Sequence, residues 1–274
     1  MDRLKKCIAC LLLLAVLASL GGCGQTEYAA FRALEVIGEK QFCAVCRGGD
    51  KLADVVDAAL RTLAGNGTLS SITARWLGSD RSCLEGDAGA LQALKNTLDE
   101  PLPETRRLII GVEKDDYPLG FLENGEVRGM NADLANAMGE LLGWDILVLP
   151  IHSDEISANL VSGNVDCALG FDGSLVSPDK FFVGAPYLKS DIIVAVRRES
   201  EIQRLRDLND SRVGVINDPA VLKAVRSSEH LTKFASGATQ YLTIDRCVNA
   251  LDNGWCAAIA MDSLMLSFYR EKTA

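Results

Sequence analysis

From Arg107 onward, apolar residues fall into two patterns that take turns. Continuous apolar runs of strand length occur at RLIIGV (107–112), DILVLPI (145–151), VDCALGF (165–171) and SDIIVAVRRES (190–200). Between them, apolar residues recur every three or four positions. That spacing predicts helices in MNADLANAMGELLGW (130–144), ending at Gly143, and in SDEISANLVSGN (153–164), with Ser153 as N-cap and Gly163 near its end. Glu123–Asn124–Gly125 is a hairpin signal. The theme then restarts with helix EIQRLRDL (201–208), strand RVGVI (212–216), helix PAVLKAVRSS (219–228), strand TQYLTI (239–244), helix DRCVNALDNG (245–254), strand WCAAIAM (255–261) and helix DSLMLSFYREK (262–272). Alternating strands and helices predict an α/β fold whose mainly parallel sheets are covered on both faces.

The first hundred residues read differently. MDRLKK is a short cationic segment, and CIACLLLLAVLASL (7–20) is an apolar run of signal-peptide length. Leu20–Gly21–Gly22–Cys23 follows and resembles a bacterial lipobox, which implies lipidation of Cys23 and removal of residues 1–22. QFCAVCR (41–47) reads as a strand. A helix then ends at Gly65–Asn66–Gly67, and a shorter one closes on Arg75–Trp76–Leu77–Gly78. SDRSCLEGD (79–87) is polar, AGALQALKNTLDE (88–100) has the composition of a helix, and PLPET (101–105) breaks it.

Composition narrows the chemistry. The formal charge is −9, and the cationic leader makes the remainder more acidic still, which argues against nucleic acid and anionic lipid as partners. His152 and His230, the only histidines, do not cluster in sequence, so no metal site is expected. Cys43 and Cys46 form a C-x-x-C inside a strand, where i and i+3 face opposite ways. They read as small core residues, not as a redox pair at a helix start. Cys167 and Cys256 read as core too, and pairing among the cysteines is left open.

Two stretches repeat. NVDCALGFD (164–172) and NGWCAAIAMD (253–262) both run from Cys–Ala to an Asp; IIGVEKDD (109–116) and RVGVINDP (212–219) both place Gly–Val before an acidic loop. Two lobes of similar design follow. Ligands of open α/β sheets bind beyond the carboxyl ends of strands. The candidate site is therefore Glu113, Asp115, Asp116 and Tyr117; Gly170, Phe171 and Asp172; Asn217 and Asp218; and Asp262. For each acid taken singly, a solvated loop end or a helix cap is the competing reading, and Tyr117–Pro118 has a packing reading beside a ligand one.

LIIGVEKDDYPLGFLENGEVRGMNADLANAMGELLGW, LVSGNVDCALG, PYLKSDIIVAVRRES and LRDLNDSRVGV together resemble the family 3 extracellular solute-binding proteins, receptors of polar amino-acid ABC transporters. The resemblance implies a two-lobed, periplasmic-binding-protein-like (type II) α/β fold with a ligand cleft between lobes. It also implies that the family's closing segment lies at residues 31–78, ahead of its usual place, so that FYREKTA would join EYAAFRALEVIGEKQFCAVC and the chain is circularly permuted. A remnant of a preceding tandem domain is the other arrangement considered. The permuted arrangement assigns 1–22 to a lipoprotein signal peptide, 23–30 to a tether, 31–40 to the last strand of lobe 2 and 41–78 to a crossing strand and closing helices of lobe 1. It assigns 79–105 to a linker joining the family's usual termini, 106–189 to lobe 1 and 190–274 to a crossing strand and lobe 2. The stretch 41–47 is then expected beside 191–197, and Trp76 on the lobe containing 107–185. Exposed loops tolerate such new ends.

The resemblance also implies a ligand frame. An Arg that would fork onto a ligand carboxylate is replaced by Ser177, with Lys180 the nearest cation; the lobe 2 turn reads INDPAVL, where Asp218 would oppose a carboxylate; and Asp262 stands where the family holds an ammonium group. An acidic, Arg-poor cleft implies a small polar solute, an amino acid or cationic amine, with Tyr117 and Phe171 offering ring faces. The implied protein is a membrane-tethered, extracytoplasmic receptor without cofactor, metal or catalytic residue, hinged at IIVAVRR and CAVCRG, whose partners are the solute, ABC permease subunits and the membrane. Two alternatives stand beside it: a sensory or scaffolding lipoprotein with a degenerate cleft, and a dehydratase-like enzyme on the same fold.

Overall fold

The computed structural model describes residues 27–28, 31–208, 211–231 and 238–269. The signal peptide and Cys23 read from the sequence lie outside the described residues. No helix among those described is long and apolar enough to cross a membrane.

In chain order the strands are β1 (Glu27–Tyr28), β2 (Phe31–Arg47), β3 (Arg107–Glu113), β4 (Asp115–Asp116), β5 (Gly120–Glu123), β6 (Glu126–Arg128), β7 (Asp145–Ile151), β8 (Cys167–Phe171), β9 (Phe181–Val183), β10 (Leu188–Arg197), β11 (Val213–Ile216), β12 (Thr239–Tyr241) and β13 (Ala258–Asp262). The helices are α1 (Lys51–Gly65), α2 (Thr68–Leu77), α3 (Ala90–Lys95), α4 (Met130–Leu142), α5 (Ile156–Ser162), α6 (Pro219–Ser227), α7 (Ile244–Asp252) and α8 (Ser263–Phe268).

One sheet runs through the molecule in the order β12–β11–β13–β10–β2–β8–β3–β7. Its ends are parallel trios, β12–β11–β13 and β8–β3–β7, and its middle is the antiparallel pair β10–β2. Three cores flank that pair. One gathers β11, β13, α6 and α7 around Val215, Val248 and Ile259, in lobe 2; the other two lie on opposite faces of β8–β3–β7, in lobe 1.

The apolar run of β2 follows from this position. Successive strand side chains point to opposite faces. Phe42, Ala44 and Cys46 enter the core made with α1, α2 and α4, whereas Val45 enters the core on the other face with Ile151 and Phe171. Cys167 and Cys256 are buried in core clusters, as expected, and all six cysteines from Cys43 onward are free thiols.

Several sequence expectations change. Residues 191–197 of β10 pair with 31–39 of β2, while 41–47 pairs mainly with β8 and β9. The two strands cross between the lobes in opposite directions, so each lobe receives the start of one and the end of the other. The crossing lies near Lys40, which is in register with Ser190, upstream of the CAVCRG and IIVAVRR segments. The predicted helix 201–208 shrinks to a turn at Leu205–Leu208; the Asp207 carboxylate accepts the Gln203 and Arg204 N–H groups, a local alternative to helical pairing. His152, not Ser153, caps the segment before α5, and Ser153–Glu155 is a 3-10 turn.

Residues 79–105 are docked on lobe 1. Cys83 N–H donates to the Tyr187 carbonyl, Asp87 N–H to the Arg61 carbonyl, and Leu91 is buried against lobe 1. Trp76 lies on lobe 1 as expected, its indole N–H on Asp133 and its ring edge-on to Phe121.

Candidate functional site

The strand ends converge on a cavity of about 590 Å³ between the lobes, a size suited to a small ligand. Lobe 1 contributes Glu113, Asp115, Asp116, His152 and Gly170–Phe171–Asp172; lobe 2 contributes Ile216, Asn217, Asp218, Pro219 and Met265. Of the residues nominated from sequence, Tyr117 and Asp262 are not among those lining it. Tyr117 packs on Phe121, with ring centroids 4.9 Å apart. Gly170 has a left-handed φ of 86°, and a Cβ there would meet Asn131 Nδ2 at 2.1 Å, so the cavity wall requires glycine at this point. Asn131 in turn accepts the Tyr187 hydroxyl at 2.7 Å.

The residue that sequence reasoning missed is Lys40. It is 6% exposed, at the crossing of β2, and it lines the cavity. Its Nζ lies 3.3 Å from Asp116 Oδ2 and 2.9 Å from Asp218 Oδ2, and 4.9 Å from the centre of the Phe42 ring. Burial alone would lower its pKa, but Asp116, Asp218 and Asp262 outweigh that and hold the ammonium charged, with its pKa well above the usual lysine value. Among the described lining residues it is the only lysine or arginine. The signal was present in GEKQ, a polar interruption of an apolar strand. Three adjacent polar residues read as solvent-facing, yet alternation turns Lys40 away from Glu39 and Gln41.

The acids divide by what they hold. Asp218 Oδ1 accepts the Ala220 and Val221 N–H groups at 2.8 and 3.1 Å, so its carboxylate both caps α6 and pairs with Lys40. Burial raises its pKa, but Lys40 and these N–H groups prevail and lower it. Asp172 Oδ1 accepts the Ser174 N–H at 2.8 Å. Asp262 is 1% exposed; its Oδ1 accepts Leu264 N–H, Met265 N–H and Ser190 Oγ–H, while Oδ2 has no partner among the described residues. Burial, aided by the nearby Asp116, pushes its pKa up to about 6 against the pull of Lys40. Asp116 is raised by burial despite Lys40.

Glu113 is pushed up to about 7 by burial and by Asp116. His152 Nδ1 lies 3.7 Å from Glu113 Oε1 and 3.5 Å from Asp115 Oδ2, so the fold brings a histidine to two carboxylates that sequence spacing kept apart. Their ligand atoms lie within 4.8 Å of one another. The Glu155 N–H donates to the His152 carbonyl at 3.0 Å, the His152 and Asp115 side chains are 44% and 58% exposed, and the trio is better read as an acidic rim than as a metal centre. Ser177 and Lys180 are exposed and do not line the cavity; the Lys180 carbonyl accepts the Gly48 N–H. Among the described residues the site therefore has no guanidinium for a carboxylate.

The sequence profile of the bacterial extracellular solute-binding proteins, family 3, matches residues 108–259. The chain belongs to this family. Arginine-binding extracellular protein ArtP of Bacillus subtilis (strain 168) is 29% identical over 114 residues, which is 40% of this chain and 44% of ArtP. The chain thus spans less than half the length of that relative. Two solved structures share the fold. The ancestral amino acid-binding protein AncCDT-1, a precursor of cyclohexadienyl dehydratase, superposes with a TM-score of 0.50 at 22% identity, over 61% of this chain and 74% of its own. Arginine-bound, truncated ArgBP from T. maritima gives 0.50 at 19%, over 61% and 78%. For a family 3 solute-binding protein, the cavity departs from the expected frame in one direction: its own side chains already occupy the donors at the start of α6 and bring a cation between the lobes.

Proposed function

We propose that this protein is the extracytoplasmic receptor of an ABC importer, lipid-anchored through Cys23, that closes its two lobes on a small amine-bearing solute. The observation that carries the reading is the charge of the cavity. Glu113, Asp115, Asp154, Glu155 and Asp172 line it, while its one lysine is engaged by Asp116 and Asp218. A cation entering this low-dielectric, acidic site is favoured, and a free carboxylate meets acids at each backbone donor set described above. The binding of amino acids by the relatives supports the class of ligand; the cavity chemistry supports the amine.

The reading includes no catalysis. An enzyme acting on a dicarboxylate would need cations to hold it, and the cavity offers acids instead. The reading also includes a permuted order: residues 31–78 complete lobe 1 and the crossing pair, and 79–105 link the family's usual ends. The central place of β2 and the docking of Trp76 on lobe 1 support it.

The test is a thermal-shift screen of the chain from residue 24 against amino acids, polyamines, quaternary amines and dicarboxylates, with Glu113→Gln alongside. Saturating binding raises the melting temperature by mass action. The reading expects a shift from an amine that weakens in Glu113→Gln. A shift from a dicarboxylate alone would overturn the amine assignment, and no shift from any class would favour the sensory or scaffolding reading.

A further inference from the structure

We propose that Lys40 is a tethered ammonium that stands in for a solute amine between the lobes and holds them together when no solute is bound. This rests on the receptor reading of the cavity. Four observations carry it. Lys40 stems from neither lobe's loops but from the crossing point of β2, in register with Ser190 on β10. Its Nζ bridges Asp116 of lobe 1 at 3.3 Å and Asp218 of lobe 2 at 2.9 Å. It is buried, with its Nζ 4.9 Å from the centre of the Phe42 ring. Asp218 has its other oxygen on the first N–H groups of α6, so ammonium and carboxylate together fill, from within the chain, positions suited to a small zwitterion.

A ligand closes a two-lobed protein only by bonding both lobes at once. Lys40 meets that condition permanently and intramolecularly. A covalently attached group has no translational freedom to lose on binding, so its effective concentration is high. The lobes of the solute-free protein are then already drawn together, and a solute amine completes the closure by adding to the remaining acids, Glu113, Asp115 and Asp172, beside a cation already in place.

The test reads the distance between lobes with no solute present. Spin labels are placed on cysteines introduced at the exposed positions Val161 of lobe 1 and Trp255 of lobe 2 in the full chain in detergent, with Cys83→Ser to remove the thiol exposed among the described residues and Cys7→Ser, Cys10→Ser and Cys23→Ser to remove those outside them. Electron–electron dipolar spectroscopy then compares the parent with Lys40→Met and Lys40→Arg. The expected result is one short distance in the parent and in Lys40→Arg, and a longer, broader distribution in Lys40→Met. Millimolar n-butylammonium, the free counterpart of the lysine side chain, is expected to restore the short distance in Lys40→Met. A folded Lys40→Met with the parent's distribution would overturn the proposal.

If Lys40→Met does not fold, Asp218→Ser takes its place. It keeps a capping oxygen for α6 but withdraws the lobe 2 carboxylate. An unchanged distance there overturns the latch, and a longer one supports it. The outcome is independent of the solute screen. A latch that fails leaves the receptor reading standing, whereas a screen without hits removes the solute-amine part of the proposal and leaves the distance measurement to decide whether Lys40 holds the lobes together.

Discussion

Lys40 Nζ lies 2.9 Å from Asp218 Oδ2, across 178 positions of sequence. A lysine at the crossing strand and an aspartate at a helix start meet only because the sheet runs unbroken from one lobe to the other. Breaking a buried ion pair by removing one partner leaves an uncompensated charge, at a cost of about 3–5 kcal/mol. Lys40→Met should therefore destabilise the protein by that amount at pH 7.5 in urea unfolding. The loss should shrink at pH 5, where Asp116, already raised by burial, takes up a proton more readily. A loss below about 1 kcal/mol at pH 7.5 would show that the pair contributes little.

Glu113 gives a pH signature with a defined sign. Its folded pKa is raised from 4.5 to about 7. The native state then holds a proton that the unfolded chain releases, so its contribution to stability falls as pH rises from 4.5 toward 7. Glu113→Gln should melt above the parent at pH 8 and close to it at pH 4.5. Affinity for an amine should run the other way and strengthen through pH 7 as Glu113 ionises. Melting curves across this range decide the first point, and titration calorimetry the second. A parent and mutant that differ equally at both pH values would contradict the assignment.

Trp76 ties the early segment to lobe 1 through its indole N–H on Asp133 and its edge contact with Phe121, at 6.1 Å between centroids. Hydrogen bonds to charged groups contribute about 1.5–3 kcal/mol. Trp76→Phe keeps most of the ring and loses the bond, so it should cost that much in urea unfolding, with a single cooperative transition. A separate early transition would mean that residues 31–78 unfold as their own unit.

Cysteine reactivity follows exposure. Of the six cysteines from Cys43 onward, Cys83 is exposed and the other five are buried. Burial and the nearby Glu39 raise the Cys83 thiol pKa, so it should react more slowly than a free thiol at pH 7.5, because the thiolate is the nucleophile. Mass spectrometry after maleimide treatment of the native protein should find modification at Cys83 and protection of the rest. Rapid modification of Cys46 or Cys167 would indicate that the lobe 1 sheet opens.

Much of the fold was legible in the chain itself. Continuous apolar runs of strand length against a recurrence every three or four positions located most strands and helices, because each element buries one face or both and the pattern records which. The strand ends named eight of the twenty residues of the cavity wall, since a parallel sheet presents its carboxyl ends to one side. Helix caps such as Asp218 and Gly143 were readable because capping is local chemistry of three or four residues.

Tertiary structure alone decided what those residues face. Glu39, Lys40 and Gln41 are three polar neighbours in sequence; alternation separates the middle one from the other two, but only the pairing of β2 decides that it enters the cavity. Asp262, nominated as a ligand group, is a buried helix cap outside the cavity lining, and its Oδ2 has no partner among the described residues. His152 joined Glu113 and Asp115 through the pairing of β3 with β7, a contact between strands far apart in the chain. The charge balance of the cavity is likewise a sum over residues from both ends of the sequence. Local pattern fixes periodicity and caps because their partners are a few residues away. Burial, pKa and ion pairing depend on groups brought together by long-range packing, and so they appear only when the sheet is assembled.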